Sequence, residues 1–199
     1  MSIRRKVCLS FFVLVFAVSV GACVPSVNLK TAELTKGDMS RGSVVVGAVV
    51  NKRPEDNGGK GFEFIGKVRG GYGNPFTLRT QEGRDLNSVL KETAKAALEH
   101  TGYSTDQVAG RSLRLDMDVV NFWCDGYMGY KIEAIIAVRL VNPVNGKVRA
   151  QKEIHVQRGF AVVASSGPMH AAFDEVMNDI QKELVVFMQS REFRNGAKP

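Results

Sequence analysis

Cysteine and histidine are the side chains in this sequence best suited to nucleophilic or metal chemistry. The chain has three cysteines, and Cys124 is the one farthest from its start. Zinc sites and Cys–His pairs need such residues to converge, and metal ligands commonly lie a few positions apart. The histidines lack that spacing, so we expect no metal site, no cofactor and a buried, unreactive Cys124. The histidines are His100, His155 and His170.

Two carboxylates could act as an acid–base pair. Asp116 and Asp118 share one face of a predicted strand with Arg114. Paired carboxylates can transfer protons. Cross-strand partners such as Lys131 or Arg139 offer a simpler explanation, namely an ion-paired polar face of a sheet. We therefore predict no catalytic residue and expect that the chain is not an enzyme.

A glycine-rich segment, Gly70–Gly73, follows Arg69. Successive backbone amides can bind an anion. The segment lacks the spacing of a P-loop or a dinucleotide fingerprint. A turn, or an edge that binds a partner, is the expected structure.

The first 22 residues are typical of an export signal. Basic residues at 4–6 precede an apolar run from Val7 to Val20, and small residues follow. The run is shorter than the roughly 20 residues that span a bilayer, so a transmembrane anchor fits less well than a signal peptide. The arginine pair suggests twin-arginine export, but Lys6 to Cys8 suit that motif poorly, and general secretion is favoured.

The signal ends in Val20-Gly21-Ala22-Cys23, which resembles a lipobox. The resemblance implies diacylglycerol on the sulfur of Cys23, cleavage between Ala22 and Cys23 by signal peptidase II, and an acyl chain such as palmitate on the new amino group. Several acyl chains give stable membrane anchoring. The alternative is ordinary cleavage after Ala22 by signal peptidase I.

The residue after the cysteine bears on location. In proteobacterial lipoproteins an Asp at this position retains the protein at the inner membrane, whereas this chain has Val24. The resemblance therefore implies the outer membrane and its periplasmic face, with the inner membrane less favoured.

Composition excludes few classes of function. The 199 residues are 44% hydrophobic and 24% charged, as in an ordinary globular domain. The formal net charge of +7 falls to about +4 once the basic residues of the leader are removed. That excess is small, and we expect no nucleic acid partner.

The pattern divides the chain into four parts. Residues 1–22 are the leader, and 23–42 form a polar, lipidated tether. Residues 43–190 form a single domain, and 191–199 are a polar, frayed tail.

The domain combines strands and two helices. Alternating patterns predict three long strands joined by short connections, from Leu113, Tyr130 and Val148. Asp85 should cap a first helix, and a second should begin near Pro168. Two helices with apolar stripes need a sheet face to cover, which predicts an α/β (α+β) two-layer sandwich, mainly antiparallel, with both helices on one face.

The layout resembles the YajG-type lipoproteins of the proteobacterial envelope. Besides the lipobox, the resembling elements are the strand that runs into 51–54, the helix that ends at 98–103 and the strand 113–119. Similar layouts occur in lipid-transport lipoproteins and in cell-wall synthase activators with a TolB-N-terminal-like fold. The resemblance implies a non-enzymatic envelope role and transfers no site residue except Cys23.

An aromatic cluster offers a candidate partner-binding patch, since aromatic residues concentrate at interface hot spots. The alternative is that these residues close one end of the core. We therefore expect a lipid-anchored adaptor with an envelope protein partner, or alternatively a subunit of an ABC-type lipid-transport system or a cell-wall synthase activator. The oligomeric state is not determined by the sequence. The candidate patch residues are Trp123, Tyr127 and Tyr130.

Overall fold

The structure is a computed structural model that describes residues 26–69, 75–107, 112–126, 129–161 and 166–198. Within these ranges the chain forms seven strands, three α-helices and a short 3-10 helix at Glu55–Asn57. The strands are β1 Ser26–Val27, β2 Val44–Asn51, β3 Phe64–Arg69, β4 Pro75–Thr80, β5 Leu113–Gly126, β6 Gly129–Val141 and β7 Val148–Ala161. The helices are α1 Leu86–His100, α2 Ser166–Gln189 and α3 Arg191–Gly196.

All seven strands belong to one sheet. The order is β1-β4-β3-β5-β6-β7, and β2 also pairs with β5. The long β5–β6 and β6–β7 ladders are antiparallel, as the sequence predicts. The parallel pairs involve β1, β2 and β3. The fold is therefore the predicted two-layer α/β sandwich.

Two strands share one edge of β5. β2 pairs along its first half, up to Val119, and β3 pairs with its last three residues, from Cys124. Between these two stretches, none of the described strands pairs with β5 on that side. Lys52 donates its backbone N–H to the Val119 carbonyl at 2.9 Å, and Arg53 occupies the rest of the gap.

Side chains alternate between the two faces along each strand, and the apolar set determines which face the helices cover. On β6 the residues that face the helices are fully buried, while those between them remain partly accessible. The opposite face carries the charged residues of β5 and β6, and in the described part of the chain no α-helix covers it. The buried set on β6 is Ile132, Ala134, Ile136, Val138 and Leu140.

Helix α1 begins and ends as its sequence predicts. Asp85 accepts a hydrogen bond from the Ser88 backbone N–H at 2.8 Å, which caps the first turn. Gly102 adopts φ +89° just beyond the last turn, a conformation that favours glycine. Helix α2 buries the predicted apolar stripe, and its acids meet β7 through the pairs Lys152–Glu183 and Arg158–Asp179.

The prediction of a free tether over 23–42 is wrong from Ser26 onward. Val27 and Leu29 have no exposed surface and belong to the core. We call residues 26–43 the strap, because they cross the molecule from β1 to the start of β2. The polar composition suggested a free segment. Burial of Val27 and Leu29, together with helix side chains that bind the strap, fixes it to the domain instead.

Helix side chains hold the strap in place. Thr31 and Thr93 hydroxyls are 3.1 Å apart, and Gln181 donates to the Ala32 carbonyl at 3.0 Å. Lys36 pairs with Glu99 at 2.9 Å, and this hydrogen bond is the main cause of the lowered pKa of Glu99. The strap is therefore part of the globule.

The prediction of a polar, frayed tail from Arg191 is also wrong for the described residues, which end at Lys198. Ser190 caps α3 by accepting from the Phe193 backbone N–H at 3.1 Å. Phe193 is fully buried, and its ring meets Tyr103 and Phe187 edge-on at 5.5 and 5.0 Å. One large aromatic residue at the correct helical position fixes the segment to the core.

Candidate binding groove

Several predicted site residues lie outside the described residues. These include Ala22 and Cys23 of the lipobox motif, Tyr127, and the glycine-rich segment Gly70–Gly73. Their predicted roles therefore stay predictions.

Cys124 lies in the core, as the sequence predicts. Its side chain is 0% exposed, and burial raises the pKa of the thiol to about 12, with a smaller contribution from Asp125. The thiolate is the nucleophilic form of cysteine, so this thiol is unreactive near neutral pH. Gly66 on β3 approaches it closely, because a Cβ there would lie 2.5 Å from the Cys124 carbonyl oxygen.

The three histidines lie apart in the described structure. The ring of His155 is 3.1 Å from a Glu133 carboxylate oxygen on the polar face of the sheet. His100, at the end of α1, is 2.7 Å from the Thr35 carbonyl of the strap. His170 lies half-buried on α2. Within the described ranges, no group of three or more His, Cys, Asp or Glu side chains could hold a metal ion.

The carboxylates of β5 form ion pairs on the polar face. Asp116 accepts hydrogen bonds from Arg114, the shortest at 2.7 Å, and from the Ala48 backbone N–H at 3.1 Å. Asp118 pairs with Arg139 at 3.0 Å. These carboxylates therefore bind neighbouring strands, which is the simpler of the two interpretations of the sequence.

The aromatic cluster is divided between the two faces of the sheet. Phe122 is fully buried and packs against Phe173 of α2, with ring centroids 6.2 Å apart. Trp123 lies on the opposite face, where the Lys67 ammonium is 5.8 Å from its ring. Tyr130 lies on the helix-covered side and packs against the core. Trp123 and Tyr130 therefore do not share one surface.

A surface groove lies at the other end of the sheet, where β2 and β5 begin and β6 meets β7. Its volume is about 730 Å³, within the range of sites that bind ligands. Strap residues, the β6–β7 turn and the end of α3 form its walls. Backbone hydrogen bonds fix this wall, from Arg41 of the strap to the Gly102 carbonyl at 3.0 Å and from Val44 of β2 to the Ser104 carbonyl at 2.9 Å.

The groove combines apolar surface with cationic side chains. Met39, Leu113 and Val144 supply apolar contacts, and Val144 is 79% exposed. Among the described residues that line it there are three cations and no carboxylate. The ion pairs of the described structure involve none of these cations. The cations are Arg41, Arg149 and Lys198.

Positive charge extends beyond the groove. Arg191 and Arg194 of α3 lie beside Lys198 in an adjoining depression. Burial raises the pKa of Tyr103, and the nearby charges of Arg41 and Arg194 oppose the rise. This arrangement can bind an anionic group whose neighbours are apolar.

Sequence reasoning missed the groove because five separate segments build it. Two of them are the strap and α3, which the sequence predicts to be unstructured. The local signals were a run of basic residues between 191 and 198 and the turn at 142–146. Neither indicates a concave surface without the tertiary contacts.

In the part of the chain that the structure describes, helices fall short of the length and apolarity needed to span a bilayer.

No family model matches the chain, and no curated protein matches it. It is similar to the DUF330 protein of Xanthomonas campestris, at 15% identity over 80% of this chain and 91% of that one, with a TM-score of 0.49. A lipoprotein of Neisseria meningitidis has 17% identity over 71% and 99%, with a TM-score of 0.32. The PelC dodecamer of Paraburkholderia phytofirmans has 13% identity over 76% and 97%, with a TM-score of 0.38. Likeness at this level is too remote to assign a family or a function.

Proposed function

We propose that this protein is a non-enzymatic lipoprotein of the bacterial envelope, which binds an acidic, partly apolar segment of a partner protein in the groove. The observation that carries the proposal is the groove itself, with three cations, apolar lining and no acidic lining residue. The buried Cys124 and the separated histidines offer no nucleophile or metal centre among the described residues.

The lipid anchor is supported by the sequence. Cys23 follows small residues at the end of an apolar run that is too short to span a bilayer. Intact mass of the protein extracted from membranes tests this step. The expected mass begins at Cys23 and includes diacylglycerol and an N-acyl chain, whereas a free thiol at Cys23 would contradict the anchor. The outer membrane is the proposed location, since Val24 stands where an inner-membrane Asp would be.

The acidic partner segment is favoured by the shape and charge of the groove. A groove that combines cationic and apolar side chains suits an extended peptide with alternating acidic and apolar side chains. Charge complementarity of this kind speeds association and sets specificity, and both effects weaken as salt rises.

A peptide titration tests the binding mode. The ligand is a fluorescein-labelled peptide of alternating Glu and Phe, with the same peptide carrying Lys for Glu as its control. Full-length protein in detergent should bind the acidic peptide at least about tenfold more tightly, as expected for one or two charge-assisted contacts. Fluorescence anisotropy at two salt concentrations measures both affinities.

Charge variants locate the bound peptide. The double variant Arg41→Ser/Arg149→Ser should lose most of the preference for the acidic peptide. The control variant is Lys95→Ser/Lys182→Ser. It replaces two exposed lysines, one on α1 and one on α2, that lie away from the groove. Equal affinity for both peptides, or equal loss in the control variant, would contradict the proposed groove.

A lipid ligand is the competing outcome. The same variants are titrated with micelles that contain phosphatidylglycerol. Binding that depends on Arg41 and Arg149 in the micelle arm alone would replace the partner protein by a lipid and favour the transport role.

A further inference from the structure

Strand β7 lies at one end of the sheet, and helix α3 covers the first part of its outer edge. Among the described strands β7 pairs with β6 alone. On its other side the Gln151 backbone N–H donates to a Glu192 carboxylate oxygen of α3 at 3.3 Å. Gly196, at the end of α3, lies so close that a Cβ there would be 2.9 Å from the Arg149 carbonyl oxygen. The edge is therefore covered as far as Gln151.

Beyond Gln151 the outer edge of β7 is open. Pairing with β6 runs without a register shift over 150–161, so every second residue after Gln151 also directs its backbone N–H and C=O outward. In the described part of the chain these outward groups have no hydrogen-bond partner. A Cβ on Gly159 would meet only the Tyr130 carbonyl oxygen, at 3.7 Å. We call residues 153–159 the open edge. Its outward-directed residues are Glu153, His155, Gln157 and Gly159, all of them exposed.

The open edge lacks the features that commonly keep sheet edges from pairing, which are proline, bulges and a covering segment. Strand β4, near the other end of the sheet, begins at Pro75, and β1 pairs with its last two residues. Neither a proline nor a bulge interrupts the open edge. Its basic side chain, Arg158, is ion-paired with Asp179 of α2. An antiparallel edge of this kind can add another strand.

The open edge is complementary to itself. A two-fold axis at Val156, its central residue, pairs it with the same stretch of a second copy in the antiparallel sense. His155 then lies opposite Gln157 of that copy. Glu153 lies opposite Gly159, so no two like charges face each other. Every outward N–H and C=O of the open edge gains a partner, with about eight hydrogen bonds across the axis.

Neighbouring registers are less favourable. An axis at Ile154 would place Gln157 of one copy against Gln151 of the other, where α3 already covers the edge. An axis at Arg158 would bring two arginines face to face, which is destabilising. The length left open by α3 therefore matches pairing about Val156.

We propose that two copies of this chain form a dimer by pairing their open edges about Val156, so that their sheets join into one. A second copy is the favoured occupant because the open edge matches itself in length and charge. The inference does not depend on the groove or on the lipid anchor. The groove lies at the start of β7, on the far side of α3, and stays accessible in the dimer.

A pair of proline variants tests the dimer. Gln157→Pro removes an outward N–H that the second copy would use, while the hydrogen bonds to β6 remain, and proline is tolerated at such edge positions. Gln151→Pro is the matched control, because its N–H is already covered by α3. Sedimentation equilibrium of the full-length protein, in detergent with excess micelles, measures the dissociation constants, and circular dichroism checks the fold.

Wild type and Gln151→Pro should dimerise alike, and Gln157→Pro should dimerise at least about tenfold more weakly. Wild type that stays monomeric up to roughly 100 µM, well above the range of specific dimers, would overturn the proposal. Equal dimerisation of Gln157→Pro and wild type would also overturn it.

Disulfide formation tests the register without a proline. His155→Cys and Gln157→Cys chains, carrying different tags, are co-expressed and mildly oxidised. The Cα atoms of opposite residues lie about 5.5 Å apart in such a pair, within reach of a disulfide. Buried Cys124 has a raised pKa and does not compete at neutral pH. Co-expression should give at least about threefold more disulfide-linked dimer than either variant alone, since two copies of one variant place their new thiols on a longer diagonal. Absence of the mixed disulfide, or equal yields from His155→Cys alone, would contradict pairing about Val156.

Discussion

Arginines from other segments lie at both ends of β5, and they have opposite environments. At the β3 junction Arg53 is 5% exposed and donates to the carbonyls of Phe64, Phe122 and Gly61 at 2.7, 3.1 and 2.8 Å. Burial lowers its pKa to about 10, so it stays protonated at neutral pH. At the groove, Arg41 and Arg149 are exposed beside apolar surface. A cation whose donors are used by backbone is structural, whereas an exposed cation beside a groove is available to a ligand.

The Arg53 junction should give the largest change in stability. Arg53→Leu leaves three carbonyls at the gap in β5 without their donor, so the free energy of unfolding should fall by about 4 kcal/mol. Urea denaturation followed by circular dichroism measures the loss. The matched control, Arg149→Leu at the groove, should change stability by less than about 0.5 kcal/mol. Equal effects of the two variants would remove the distinction between the two ends.

The end of the molecule that carries the groove depends on helix α3 for its structure. Phe193→Ala deletes a buried ring that contacts Tyr103 and Phe187, so unfolding should become easier by about 3 kcal/mol. Val144→Ala, on the exposed lip of the groove, should have an effect near zero. A loss below about 1 kcal/mol for Phe193→Ala would mean that 191–198 is the unstructured tail that its composition suggests.

The close approach of β3 to β5 gives a smaller effect. In Gly66→Ala the new Cβ would press against the Cys124 backbone, so β3 must move, at a cost of about 2 kcal/mol. In Gly159→Ala on β7 the nearest atom would lie at 3.7 Å, an ordinary contact, and stability should hardly change. Thermal melts of the two variants compare them. Similar melting temperatures would argue against a tight β3–β5 junction.

The buried thiol predicts a dependence on pH. The folded pKa of Cys124 is raised from its ordinary 9.0 to about 12, so its contribution is intact below pH 9 and is lost as pH rises toward 12. At pH 10 ionisation of the unfolded thiol should remove roughly 1 kcal/mol. Urea denaturation of wild type and Cys124→Ala at pH 7 and pH 10 isolates this effect. If the difference in free energy of unfolding between wild type and Cys124→Ala were the same at both pH values, the thiol would be accessible to solvent.

The long strands and helix α1 were predictable because their sequence signals are local and repeated. The alternation on β6 places the same residues in the core that the structure buries, and Asp85 and Gly102 define the limits of α1. Buried Cys124 and the ion-paired Asp116 and Asp118 also follow from neighbouring residues in sequence.

The strap, α3 and the groove could not be predicted in this way. Val27 and Leu29 are too few to form a periodic pattern, and their burial depends on helices that lie far away in sequence. The sharing of one β5 edge by β2 and β3 has no local signal, and Arg53 hydrogen-bonds backbone carbonyls between the two strands. The groove could not be predicted for the same reason, because it forms only where five separate segments meet.

The central claim is that the groove binds a partner protein, and photo-cross-linking in intact cells tests it most directly. A photoreactive amino acid replaces Val144 at the groove or Val186 on α2. The account predicts a discrete adduct with an acidic envelope protein from position 144, absent from position 186 and lost in Arg41→Ser/Arg149→Ser. The same adducts from both positions, or adducts at 144 that persist in the double variant, would contradict it.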